Sequence, residues 1–239
     1  MLVIALVLQV AFAQNIPTGV RTNPCAVTIP YEQHTRFDFG EFCKYEAANA
    51  ALPPAGPRRV VYFGDSLTEG WLRNIVGLDA SDTHNRGIGG QTTAQMLVRF
   101  RADVLNLRPR IVHLMVGTND IAGNKGPTSL TRIQEAVMSM CEQARSHGIR
   151  VILASVLPAK IIPWNRSVDP VPAVRALNQW LVAYAGQNGH TYADYYSVLH
   201  DGQDGFQRHL AIDGIHPNAE GYEVMRPVAM DAIRRANLQ

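Results

Sequence analysis

Gly64-Asp65-Ser66-Leu67-Thr68-Glu69-Gly70 follows directly on the apolar run Val60-Val61-Tyr62-Phe63. A serine where a buried strand turns into a helix projects its hydroxyl from the carboxyl edge of a parallel sheet, the place where an α/β enzyme holds a nucleophile. The same turn can equally cap a helix at Ser66 or Thr68 with no chemistry, so other residues must decide. In Asp213-Gly214-Ile215-His216-Pro217-Asn218 a carboxylate precedes an imidazole by three positions. On a turn the two meet, the carboxylate taking the Nδ1 proton and leaving Nε2 outward as a general base. Two further segments can stabilise an oxyanion. Asn85-Arg86-Gly87-Ile88-Gly89-Gly90-Gln91-Thr92-Thr93 supplies backbone N–H groups ahead of a helix, and Gly117-Thr118-Asn119-Asp120, after Ile111–Val116, supplies a side-chain amide. Each segment alone reads as a turn; their company gives them weight.

Taken together and in their order along the chain, the four segments resemble the four signature blocks of the SGNH hydrolases, or GDSL esterases and lipases, over roughly residues 59–235. The resemblance implies a flavodoxin-like three-layer α/β/α sandwich with a central parallel sheet. Carried over by residue, it makes Ser66 the nucleophile, His216 its base and Asp213 the partner that orients the base. The oxyanion donors would be the backbone N–H groups of Ser66 and Gly90 and the side chain of Asn119. Gln91 departs from the pattern, because many relatives carry Asp there; this leaves open how the oxyanion loop is braced. Asp65 is read as a structural turn residue.

The resemblance also implies the reaction: hydrolysis of a small-molecule ester through an acyl-enzyme, with no metal and no organic cofactor. The substrates it favours are short- to medium-chain carboxylic esters such as O-acetylated sugars, lysophospholipid-type lipids or thioesters, and the second block leans towards the acetylhydrolase-like branch. An acyltransferase using the same acyl-enzyme is the alternative, and a non-catalytic carbohydrate- or lipid-binding protein a second. An intact set of catalytic residue types argues against the latter.

The elements that must position these residues follow from the hydrophobic pattern. Strand-like runs recur at Val60–Phe63, around His84–Ile88, and at Ile111–Val116, Val151–Val156 and Thr191–Tyr195. Helical patterns lie near Thr93–Leu107, Ser129–His147 and Val171–Ala185, with a last helix from Asn218 in which Pro227 predicts a kink. Such alternation implies a parallel sheet covered on both faces, with its working loops at the carboxyl edge. The long connection 157–172 follows a strand and belongs near that edge; its Trp164 offers an apolar platform and Arg166 a contact for a substrate oxygen, and both are candidates for the substrate cleft.

At 239 residues, 46% apolar and 18% charged, the chain suits one catalytic domain, 58–239, preceded by an extension over 14–57. A formal charge of +2 without a basic patch excludes nucleic acid as a partner. The apolar start, too short to span a bilayer, runs into Ala11-Phe12-Ala13, so residues 1–13 read as a signal peptide and the protein as exported, periplasmic or extracellular. No Cys stands where lipid attachment would follow, which argues against a stable membrane anchor. In an oxidising compartment Cys25 and Cys43 can pair, while Cys141 falls on a helical apolar stripe as a buried thiol. Neither the cysteines nor His34, His84, His147, His190, His200 and His209 have the spacing of a metal site; these histidines are read as surface or turn residues.

Overall fold

The chain is described here from a computed structural model, which covers Cys25 and residues 38–71, 75–77 and 79–239. The candidate leader 1–13, most of the extension before Asp38, and His34 lie outside the described residues. Helix α1 (Glu46–Ala50) precedes β1 (Val60–Gly64), α2 (Ser66–Glu69), β2 (Thr83–Gly87), α3 (Thr93–Asp103), β3 (Ile111–Met115), α4 (Thr118–Ile121) and α5 (Leu130–Ser146). They are followed by β4 (Arg150–Ala154), α6 (Val171–Asn188), β5 (Thr191–Ala193), α7 (Tyr196–Leu199) and α8 (Ala219–Leu238).

The five strands form one parallel sheet in the order β2-β1-β3-β4-β5. This is the flavodoxin-like winding, with a switch point between β1 and β3. β1 and β3 are buried at every position, as continuous apolar runs in a two-sided parallel sheet must be. α3, α5 and α6 pack together on one face, and α8 covers the other against β3, β4 and β5. Alternation along β1 divides its side chains between the layers. Phe63 meets Phe100 of α3 edge to face, and Tyr62 stacks on His113 of β3 with ring centroids 4.5 Å apart. Beyond Tyr62 lie Trp71 and, from α8, Tyr222.

Several elements end where distant side chains take over the backbone. The run Val151–Val156 stops pairing as a strand at Ala154, because the Asn178 amide of α6 receives the N–H of Val156 at 2.7 Å and donates to its carbonyl at 2.9 Å. Likewise β5 stops at Ala193 and not at Tyr195, where Ser155 Oγ accepts the N–H groups of Tyr195 and Tyr196. The Thr93–Leu107 pattern resolves into α3 and a separate 3₁₀ turn, Leu105–Leu107. α6 runs three residues beyond Ala185, to Asn188, and ends at Gly189 in the left-handed conformation. α8 continues unbroken through Pro227.

The described part of the extension is tied to the domain. Cys25 is disulfide-bonded to Cys43, and the Asp38 carboxylate accepts the N–H groups of Phe42 and Cys43. Asn49 on α1 donates to Asp103 and accepts from Arg86. Cys141 is buried on α5, and that burial pushes its thiol up to about 12. Among the described residues no helix is long and apolar enough to cross a membrane.

Candidate active site

Register brings the three central loops to one level. Gly64 pairs with Gly87 on one side and Met115 on the other, at the carboxyl ends of β1, β2 and β3. Ser66, Gly90 and Asn119 then follow within two to four residues of those strand ends. Asp65 caps α2, accepting the N–H of Leu67 at 2.9 Å, and so turns the chain sharply enough to leave Ser66 partly exposed while its neighbours are buried. Two glycines are required by space and conformation. A Cβ on Gly87 would stand 2.1 Å from the Glu69 backbone nitrogen, so only glycine lets the second loop lie beside α2. Gly90 has φ of 76°, a conformation that side chains disfavour.

From the opposite end of the chain, Ala211 and Pro217 pair as an antiparallel bridge that closes the turn carrying Asp213 and His216. Asp213 Oδ1 accepts the backbone N–H groups of Ile215 and His216 at 2.9 Å each, and Oδ2 lies 2.8 Å from His216 Nδ1. Burial would raise the Asp213 carboxyl, but these hydrogen bonds and the nearby imidazole outweigh it and hold the group below the usual carboxylate range. His216 Nε2 stands 3.0 Å from Ser66 Oγ, across 150 residues of sequence. Serine, imidazole and carboxylate thus form a continuous line of hydrogen-bond contacts. In this arrangement the ring can receive a proton from the hydroxyl at one nitrogen while the carboxylate holds the other.

The two neighbouring loops carry the other groups expected to receive an oxyanion. Among the described residues neither the Ser66 N–H nor the Gly90 N–H has a hydrogen-bond partner. Asn119 is buried, and its Nδ2 donates to Asp65 Oδ2 and to the Gln91 carbonyl, both at 3.1 Å. Asp65 therefore does more than shape a turn: its second oxygen holds the amide of Asn119. Complete burial pushes the Asp65 carboxyl up to about 7, against the lowering effect of the Leu67 N–H and His216.

The brace left open by Gln91 is present in another form. Gln91 Oε1 accepts from Arg99 Nε at 2.6 Å, and its Nε2 donates to the Gly40 carbonyl. Arg99 is fully buried; it also donates to the carbonyls of Gly64 and Arg86 and pairs with Asp103. Glu69 adds a second brace, accepting the Gly89 N–H at 2.7 Å and pairing with Lys44 of the extension. Arg99 and Glu69 escaped the sequence reading because a buried arginine inside an amphipathic helix pattern, or an acid in a first turn, carries no local mark of its partners.

Trp164 stands at the rim, about half-exposed, with its ring 6.0 Å from that of His216. Arg166 is exposed and makes no hydrogen bond or ion pair with the described residues; the structure does not bring it to the line of Ser66, His216 and Asp213. His84, read as a surface or turn residue, instead lies part-buried on β2, 3.0 Å from Asp82. Among the described residues no cluster of three or more His, Cys, Asp or Glu has metal-binding geometry.

The model of the GDSL-like Lipase/Acylhydrolase family matches residues 62–224, from β1 into α8. The chain belongs to this family. Its members are carboxylic ester hydrolases, and the five-stranded parallel sheet is their three-layer fold. A GDSL-like lipase of solved structure from Bacteroides thetaiotaomicron is 36% identical, with a TM-score of 0.78, 83% of this chain and all of that one being covered. Esterase TesA of Pseudomonas aeruginosa is 26% identical over 72% of this chain and 82% of its own length. Lipoprotein YqeF of Bacillus subtilis is 36% identical over 43% of this chain, and the match spans half of that protein's length. Both the solved structure and TesA align with the hydrolase domain over most of their length, which a fragmentary likeness would not give.

Proposed function

We propose that this GDSL-family hydrolase cleaves short- to medium-chain carboxylic esters through an acyl-enzyme on Ser66. The observation that carries the reading is the line Ser66 Oγ, His216 Nε2, His216 Nδ1, Asp213 Oδ2, with contacts of 3.0 and 2.8 Å. His216 removes the hydroxyl proton as Ser66 attacks the ester carbonyl. The oxyanion is received by the N–H groups of Ser66 and Gly90 and by Asn119 Nδ2. The alcohol leaves with the proton from His216, and water activated by the same ring releases the acid. TesA's designation as an esterase supports ester hydrolysis. An exposed Trp164 and a site at the surface suit esters whose alcohol is large and polar, O-acetylated saccharides foremost. The domain reading is 58–239 for catalysis, with 14–57 as an extension cross-linked within itself by the disulfide and 1–13 removed on export; a disulfide and a lipoprotein relative both accord with an oxidising, exported setting.

Ser66→Ala tests the chemistry directly. The folded variant should lose turnover of p-nitrophenyl acetate, and a folded variant with wild-type kcat would overturn the assignment. A panel of acyl lengths and O-acetylated saccharides, read as kcat/KM, then ranks the substrates.

A further inference from the structure

The amide of Asn119 is useful to an oxyanion only if its NH₂ faces Ser66. An amide is nearly symmetric in shape, so its environment must choose which end points which way. One end of Asn119 meets the Gln91 carbonyl and the Asp65 carboxylate, which accept. The other end, Oδ1, accepts from Asn124 Nδ2 at 2.6 Å. Asn124 has the same ambiguity, and Trp164 resolves it: its Nε1–H donates to Asn124 Oδ1 at 2.8 Å. An indole N–H is a donor only. It therefore fixes Asn124 with oxygen outward and NH₂ inward, and that NH₂ holds Asn119 Oδ1, reinforcing the orientation in which the Asn119 NH₂ meets Asp65 and the Gln91 carbonyl.

We propose that Trp164 and Asn124 are positioning residues for the oxyanion donor, a polarised chain of side chains running from the cleft rim to Asn119. The loops that carry them are joined independently of this chain. Asn165 Nδ2 donates to the Ala122 carbonyl at 2.8 Å, and the Asn124 N–H donates to the Asn119 carbonyl at 3.0 Å. Trp164 also stands beside the His216 ring, so one exposed residue touches the ring of the proposed base and, through Asn124, the far end of the Asn119 amide. Asn124 lies five residues from Asn119, across a turn at Gly123 whose φ is 73°.

The inference rests on the proposed reaction, and the test separates the two. Trp164→Phe keeps an apolar ring and deletes the N–H; Asn124→Ala deletes the relay. Each should lower kcat for p-nitrophenyl acetate about tenfold, less than loss of the donor itself, while KM changes by less than about twofold. The double variant should be no worse than the more damaged single one. In an Asn119→Ala background, Asn124→Ala should have no further effect on kcat, because it acts only through Asn119. Folding is checked by the unfolding midpoint of each variant. A folded Asn124→Ala enzyme with wild-type kcat overturns the relay, as does the same loss recurring in the Asn119→Ala background. If instead Ser66→Ala retains activity, the catalytic reading itself fails, whatever the relay variants do.

Discussion

Asn119 has two N–H hydrogens and, during the proposed reaction, three acceptors: Asp65, the Gln91 carbonyl and the developing oxyanion. Replacing it with alanine should reduce kcat by about 10²–10³ with a smaller change in KM, as steady-state kinetics would show; an effect confined to KM would make it a substrate-binding residue instead. Asp65 has a distinct signature in stability. Its carboxyl is raised by burial to about 7, so between the ordinary carboxylate range and that value the folded chain holds a proton that the unfolded chain has lost. The stabilisation from that proton is full below about 4, falls as pH rises and is gone above about 7. The unfolding midpoint of wild type minus that of Asp65→Asn should therefore decrease between pH 4 and 7.5, and a constant difference would refute it. At this scale the sequence was readable wherever a residue type is tied to a local turn, as at Ser66, Asp213 and His216. It was unreadable where the partner lies far along the chain, as for Gln91 with Arg99 and Gly40, or Asp65 with Asn119.

Elements show the same division. The buried strands were legible because parallel strands covered on both faces must be apolar throughout, and Ser129 and Asn218 mark helix starts by the caps they make. Ends of β4 and β5 were not, because Asn178 and Ser155 terminate them from other parts of the fold. The second loop is held by neighbours on both sides: Glu69 of α2, Arg99 of α3 and, through Gly40 and Lys44, the extension. Gly87→Ala should force β2 away from α2, since the new Cβ meets backbone at 2.1 Å. Lower thermal stability and a kcat loss larger than that of a typical surface substitution are expected, and unchanged values for both would show that the loop tolerates displacement. Replacing Cys25 and Cys43 together with serine opens a bridge between residues 18 apart. The chain-entropy model gives a loss of about 3 kcal/mol, to be read from denaturant unfolding; an unchanged midpoint would mean that the cross-link within the extension adds nothing to the stability of the fold.

Across the whole molecule, the alternation of strand and helix announced the three-layer architecture, and the sheet order completes it at the β1/β3 switch point where such folds hold ligands. The thiols give a global check on the purified protein. With Cys25 and Cys43 bonded and Cys141 buried, native protein should take up no thiol reagent, and denatured but unreduced protein should take up one equivalent per chain. Two or three equivalents would contradict the pairing.

Ser66 and His216 come together across 150 residues, and the turn that carries His216 is closed just before α8 packs over the sheet. A ribosome therefore finishes the nucleophile long before it has made the base. Until His216 is made, Ser66 is without the imidazole that would activate it on the proposed chemistry. On the same chemistry, a chain cut short anywhere before Asp213 has the nucleophile without its base and is silent as an esterase, so activity depends on a contact between two segments 150 residues apart.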